Sequence, residues 1–131
     1  MLIFALAMTV AAPLNETHMR DIACVAVLGI VADEQRRGVQ SGEALPDVRE
    51  TGRRWTGIVG ERVMAETGQP RELVAFAIAE AVRAEQNLAG ADKNPASVVK
   101  SRLQECLPLM QAQLTEADAV NASLPKPVRA Q

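Results

Sequence analysis

Apolar residues recur along the chain at helical spacing, and they divide it into four segments. Between Ile22 and Ala32 every residue is apolar or glycine, and helix-forming residues follow this run. A helix that is apolar on all sides is normally buried. The pattern predicts a first helix over residues 17–37, with Thr17 as its N-cap, at the centre of the fold.

Two further predicted helices begin near prolines, which suit the first turn of a helix. Pro46 predicts a second helix over residues 46–66, and Pro70 predicts a third over residues 70–88. Each has one apolar face, formed by Val48, Trp55, Val59 and Val63 in the second helix and by Val74, Ala77, Ala81 and Leu88 in the third. We expect the first and third helices to be central in the bundle.

The fourth predicted helix begins at Asn94, a good cap, with Pro95 in the first position. Its apolar face consists of Val99, Leu103, Cys106, Met110 and Leu114. Pro108 lacks the N–H that the helix needs, so a kink or a restart is expected there. The apolar pattern fades after residue 114, and residues 115–131 are predicted to form a partly ordered or mobile C-terminal tail.

Residues 1–12 carry no charge and end in small side chains, as a signal peptide does. We interpret them as an export signal that is cleaved after Ala11 or Ala12. Ala11 is favoured, because Pro13 would directly follow the other cut. The segment is too short for a stable membrane span. This interpretation predicts a periplasmic or secreted helical domain over residues 13–114. The alternative is a buried N-terminal strand or helix of a cytosolic protein.

The two cysteines, Cys24 and Cys106, are not in a C-x-x-C arrangement. Cys24 lies in the fully apolar helix and Cys106 on the core face of the fourth helix, and in an oxidising compartment they would pair. Two buried thiols are the alternative. With the helical pattern, the cysteines predict an all-α fold, a compact bundle of four main helices with one disulfide.

Length and charge exclude several classes of function. The chain has 131 residues and a formal net charge of −2, which suits one domain and gives no strong basic field for nucleic acid. A helix-turn-helix can be drawn over residues 49–82, but its second helix offers no donors to base edges. We expect no nucleic-acid partner, and a cytosolic helix-turn-helix regulator is kept as an alternative.

Few residues are available for catalysis, because the chain has one histidine and no tyrosine. His18 is expected to be a solvated residue near the helix cap, and one histidine with two paired cysteines cannot supply four zinc ligands. We therefore predict no catalytic residue, no metal and no cofactor. Glu85 falls on the apolar side of its helix, where a buried carboxylate could act as a base. A small envelope enzyme using Glu85 is the corresponding alternative. The other interpretation is that the helix frays near this end and the Glu85 head group reaches water.

A candidate binding surface follows from residues that break the pattern. Interior glycines cost about 1 kcal/mol relative to alanine in a helix. The stripe of Gly52, Thr56 and Gly60 therefore predicts close approach by another helix, or a groove beside Trp55. Phe76 falls on the polar side of the third helix and suggests a protein or homodimer contact. The candidate surface consists of Gly52, Trp55, Thr56, Gly60, Phe76 and Glu85.

The layout of an N-terminal signal, one cysteine in the first helix and one in the last resembles uncharacterised small exported two-cysteine helical proteins of Gram-negative bacteria. In size and cysteine count it is also similar to the small periplasmic acid-stress chaperones. Those have a shorter span between cysteines and more aromatic residues, so no residue carries over. The resemblance implies a compartment. With no catalytic motif, we expect a non-enzymatic exported interaction or binding protein.

Overall fold

The computed structural model describes residues 11–39 and 44–125, and within these ranges the only regular elements are four α-helices. The helices are α1 (Glu16–Arg36), α2 (Arg49–Thr67), α3 (Arg71–Gly90) and α4 (Pro95–Ser123). The predicted all-α class is confirmed. Most of the predicted signal peptide, residues 1–10, lies outside the described residues.

The first helix begins earlier than Thr17 because a reciprocal cap forms around Asn15. The Asn15 side chain accepts a hydrogen bond from the His18 N–H at 2.8 Å, and the Asn15 N–H donates to His18 Nδ1 at 3.2 Å. Two backbone donors at the helix start are thereby satisfied. α1 packs against all three other helices, and its apolar run is almost entirely buried, as predicted.

The second helix begins at Arg49, three residues after Pro46, because α1 holds the preceding segment in a non-helical form. The Gln35 side chain donates to the Pro46 carbonyl at 2.7 Å and accepts from the Val48 N–H at 3.0 Å. α2 then runs antiparallel to α1, since Gly52 contacts Leu28 while Arg62 reaches Asp21.

The third helix is peripheral, contrary to the expectation that it is central. Only Val74, Glu85 and Ala89 of α3 are fully buried. Leu73 and Phe76 on its outer face are more than half exposed. α1 alone is surrounded by the other helices.

The fourth helix continues without a break through Pro108 to Ser123, so the expected restart does not occur. Pro108 and Gln104 are both exposed, and water can therefore satisfy the Gln104 carbonyl that loses its helical partner. The extension past residue 114 is held by polar contacts to α2. Gln113 bonds Trp55 at 2.8 Å, and Asp118 pairs with Arg54.

The predicted disulfide is present. Cys24 and Cys106 are bonded, with their Cα atoms 5.3 Å apart, and both are buried. The bond joins α1 to α4 within the hydrophobic core. None of the helices in the described ranges has the length and apolar character that a membrane crossing requires.

Candidate functional site

An open groove lies between the C-terminal halves of α1 and α3 and the N-terminal half of α4. Its volume is about 830 Å³, which is within the range of small-molecule sites. We call it the α1–α3–α4 groove. Its apolar lining includes Val27 and Ile30 from α1, Val82 and Ala89 from α3, and Val98 and Val99 from α4.

Small residues in the walls leave this space open. Gly29 on α1 and Gly90 on α3 line the groove, and a Cβ added at either position would meet no atom within 4 Å. Ala96 and Ala89 contribute further short side chains. These short side chains therefore do not fill the space between the three helices at the groove.

Glu85 and Arg102 form an ion pair in the groove wall. Arg102 Nε donates to Glu85 Oε2 at 2.9 Å, and a second guanidinium nitrogen donates to Glu85 Oε1 at 2.7 Å. Arg102 also bonds Glu105 at 2.7 Å. The hydrogen bonds to Glu85 raise the pKa of the Arg102 guanidinium. The pair is thus charged and fixes α3 to α4.

Glu85 is buried rather than extended into water, but its chemistry differs from that of a base awaiting a substrate. Both carboxylate oxygens accept hydrogen bonds from the same guanidinium. A carboxylate held in this bidentate way has both oxygens occupied by Arg102 and joins two helices.

Trp55 lies in the core rather than on a surface. Its side chain is fully buried, and its indole N–H donates to Gln113 Oε1 at 2.8 Å. Apolar packing of the ring and the hydrogen bond of its N–H explain why a tryptophan is buried here. It cannot form the proposed contact surface.

Of the two glycines in the small-residue stripe, only Gly52 lies against another helix. A Cβ at Gly52 would lie 3.6 Å from Leu28 of α1, whereas a Cβ at Gly60 would meet nothing within 4 Å. The Thr56 hydroxyl donates to the Gly52 carbonyl at 2.8 Å, which is a local helical bond. Phe76, at 59% exposure, lies on α3 and is not part of this stripe.

A buried polar cluster escaped the sequence analysis. Asp21 is completely buried and pairs with Arg62 of α2, while Gln113 of α4 donates to it at 3.4 Å. His18, expected to be solvated, is buried as well, with Nε2 3.6 Å from a Glu66 oxygen. The helical spacing of His18, Asp21, Val25 and Leu28 places all four on one face, and this was the available indication.

The described residues contain no group of three or more His, Cys, Asp or Glu side chains that could hold a metal ion. The buried Asp21 cluster and the α1–α3–α4 groove both differ from ordinary core packing. The cluster is closed by its own partners, whereas the groove is open to solvent.

No known protein family, curated protein or solved structure matches this chain. The residues of the chain itself, and above all those that line the groove, therefore provide the evidence for a function.

Proposed function

We propose that the protein is a non-enzymatic exported binding protein, periplasmic or secreted, which takes a small apolar or amphipathic ligand in the α1–α3–α4 groove. The observation that carries the proposal is the groove itself. It combines a volume of about 830 Å³ with a largely apolar lining and a few polar side chains. This combination is typical of sites that bind small organic ligands.

The three walls of the groove are joined to each other, which favours a preformed site. Cys24 precedes Val27 by one turn of α1, and Cys106 follows Arg102 by one turn of α4, so the disulfide ties these walls at the inner end of the groove. The Glu85–Arg102 pair ties α3 to α4. A preorganised site loses less entropy when its ligand binds.

Export is supported by the disulfide, since such bonds persist in oxidising compartments. A second support is the position of Ala12. Its N–H donates to the Thr67 carbonyl at 2.8 Å, and its carbonyl accepts from the Gln69 side chain at 3.0 Å. Cleavage after Ala11 would place a new ammonium beside the C-terminal end of α2, where positive charge is favoured. Cleavage after Ala12 would remove both bonds.

The export half of the proposal is tested by intact mass. The full chain is expressed in a Gram-negative bacterium and recovered from the envelope fraction, with alkylation before or after reduction. We expect a chain that starts at Ala12 and takes up alkylating reagent only after reduction. A full-length chain with two reactive thiols would contradict export.

The binding half is tested with N-phenyl-1-naphthylamine, a neutral dye that fluoresces in apolar sites. Val99→Phe fills the groove, and we expect it to weaken dye binding at least about tenfold, because a ring replaces the space that the dye needs. Val120→Phe, the same change at an exposed position of α4 outside the groove, is the matched control. Equal dye affinity in the wild type and the Val99→Phe variant would refute the groove as the site.

A further inference from the structure

We infer that the natural occupant of the α1–α3–α4 groove is a cationic amphiphile, an aliphatic or aromatic molecule with one amino or quaternary ammonium group. This inference rests on the proposed function and adds the charge of the ligand to it. It depends on the ionised side chains of the lining and on the direction of the helices that meet there.

The groove lining carries more negative than positive charge. Its carboxylates are Asp33, Glu34 and Glu85, and its guanidiniums are Arg37 and Arg102. Arg37 pairs with Asp33 at 2.9 Å, and Arg102 pairs with Glu85 at 2.7 Å. Within the described residues, no cation forms an ion pair with Glu34.

Glu34 is half-buried, and its position makes its charge effective. A carboxylate that is partly withdrawn from water interacts more strongly with a nearby cation than a fully solvated one does. A ligand ammonium beside Glu34 would neutralise the excess charge of the lining. A ligand carboxylate would add to it.

The partial charges at the helix ends also favour a cationic ligand. α1 ends at Arg36 and α3 ends at Gly90, and both of these C-terminal ends border the groove, whereas only α4 presents its N-terminal end there. C-terminal ends carry partial negative charge and N-terminal ends partial positive charge. The balance of helix ends therefore also favours a cation.

The apolar part of the ligand would pack against the apolar side chains of the groove. Ile30, Val98 and Val99 line the groove together with Val27 and Val82. An alkyl chain or ring against these side chains would gain from leaving water. An ammonium at its end would then lie towards the carboxylates of α1.

The test uses three probes with the same alkyl chain: octylammonium, octanol and octanoate, each titrated against displacement of N-phenyl-1-naphthylamine from the full disulfide-bonded protein. We expect octylammonium to bind about fivefold more tightly than octanol, as a partly exposed ion pair would provide, and octanoate to bind most weakly. Equal affinities for octylammonium and octanol would overturn the inference.

Variants then locate the charge effect. In Glu34→Gln the ratio of octylammonium to octanol affinity should fall to about one, and in Glu116→Gln, a carboxylate outside the groove, the ratio should be retained. A ratio that survives Glu34→Gln would overturn the assignment. The two proposals fail differently: if the wild type binds neither dye nor probes, the groove function itself is wrong, whereas binding without charge preference removes only the cationic ligand.

Discussion

The Asp21 carboxylate is completely buried in the first turns of α1, and side chains from three helices contact it. Arg62 of α2 forms its ion pair, Gln113 of α4 donates to it at 3.4 Å, and Arg20 of α1 approaches at 3.3 Å. Withdrawing a charge from water costs several kcal/mol unless such partners are present. The Asp21 cluster is therefore stable only when α1, α2 and α4 are assembled.

Removing Arg62, the main partner of Asp21, should destabilise the folded protein. Arg62→Ala leaves the buried Asp21 charge with little compensation, and we expect the free energy of unfolding to fall by about 3 kcal/mol. Arg20→Ala is the matched control, because its side chain is 58% exposed and its contribution should be below about 1 kcal/mol. Urea unfolding of both variants measures the difference, and equal losses would show that Arg62 is not the principal partner.

Asp47 allows a pH prediction at a single residue. Hydrogen bonds from the Arg49 side chain lower the pKa of Asp47 from 3.8 to about 2. A lowered pKa means that Asp47 favours the folded state above pH 4 and that this small contribution is lost as the pH falls through about 2. NMR titration should show this midpoint, and Arg49→Ala should return it towards 3.8. An unchanged midpoint in the variant would exclude Arg49 as the cause.

The glycines in and directly after α2 are present for different physical reasons. Gly52 lies against Leu28 of α1, so its small size permits a close approach of two helices. Gly60 has open space around it, and Gly68, the residue after the helix, has a φ of +72°. The first glycine serves packing, the second has no packing reason, and the third ends the helix.

This difference predicts opposite effects of the same substitution. Gly60→Ala should stabilise the protein by up to about 1 kcal/mol, because alanine is the better helix former and no atom blocks its methyl group. Gly68→Ala should destabilise it by roughly 1 kcal/mol, since its left-handed backbone disfavours a side chain. Thermal unfolding of both variants measures the two effects. Shifts of the melting temperature in the same direction would contradict the different roles of Gly60 and Gly68.

The beginnings and ends of the elements could be predicted only in part. Asn94 and Pro95 fixed the start of α4, because the cap is local in sequence. The start of α2 was predicted three residues early, since Gln35 of α1 holds the preceding segment. The end of α4 was predicted too early because its last turns are held by Gln113 and Asp118, polar residues that no apolar pattern reveals.

In the whole molecule, polar and open regions lie at opposite ends of α1. The Asp21 cluster lies near its beginning and the α1–α3–α4 groove near its C-terminal end, with the Cys24–Cys106 bond between them. The cluster joins α1, α2 and α4, and the disulfide joins α1 to α4. The Glu85–Arg102 pair joins α3 to α4. The groove is a region of the described bundle where side chains do not fill the space.

The disulfide should be both stabilising and protected. It joins residues 82 positions apart, so reduction should lower the free energy of unfolding by up to about 4 kcal/mol. Both sulfurs are buried, and a reductant should therefore act slowly on the native protein and rapidly in denaturant. Alkylation followed by mass spectrometry under both conditions measures this. Equally rapid reduction in both would indicate that the bond is reached without unfolding.

The sequence by itself determined the all-α class and the central apolar helix, and it placed Cys24 and Cys106 on buried helix faces. These follow from periodicity, which is a local property of the chain. It also placed Glu85 on the apolar side of the third helix, whereas the partner of Glu85, Arg102, lies on another helix.

Only the tertiary structure decided what surrounds each of these residues. In the folded chain Trp55 is bonded to Gln113, and Arg62 pairs with the buried Asp21. α3 lies at the periphery, and the α1–α3–α4 groove is open. The physical reason is the same in each case. Helix periodicity fixes which face a side chain occupies, but the angle and distance at which helices meet arise from contacts between residues far apart in the chain.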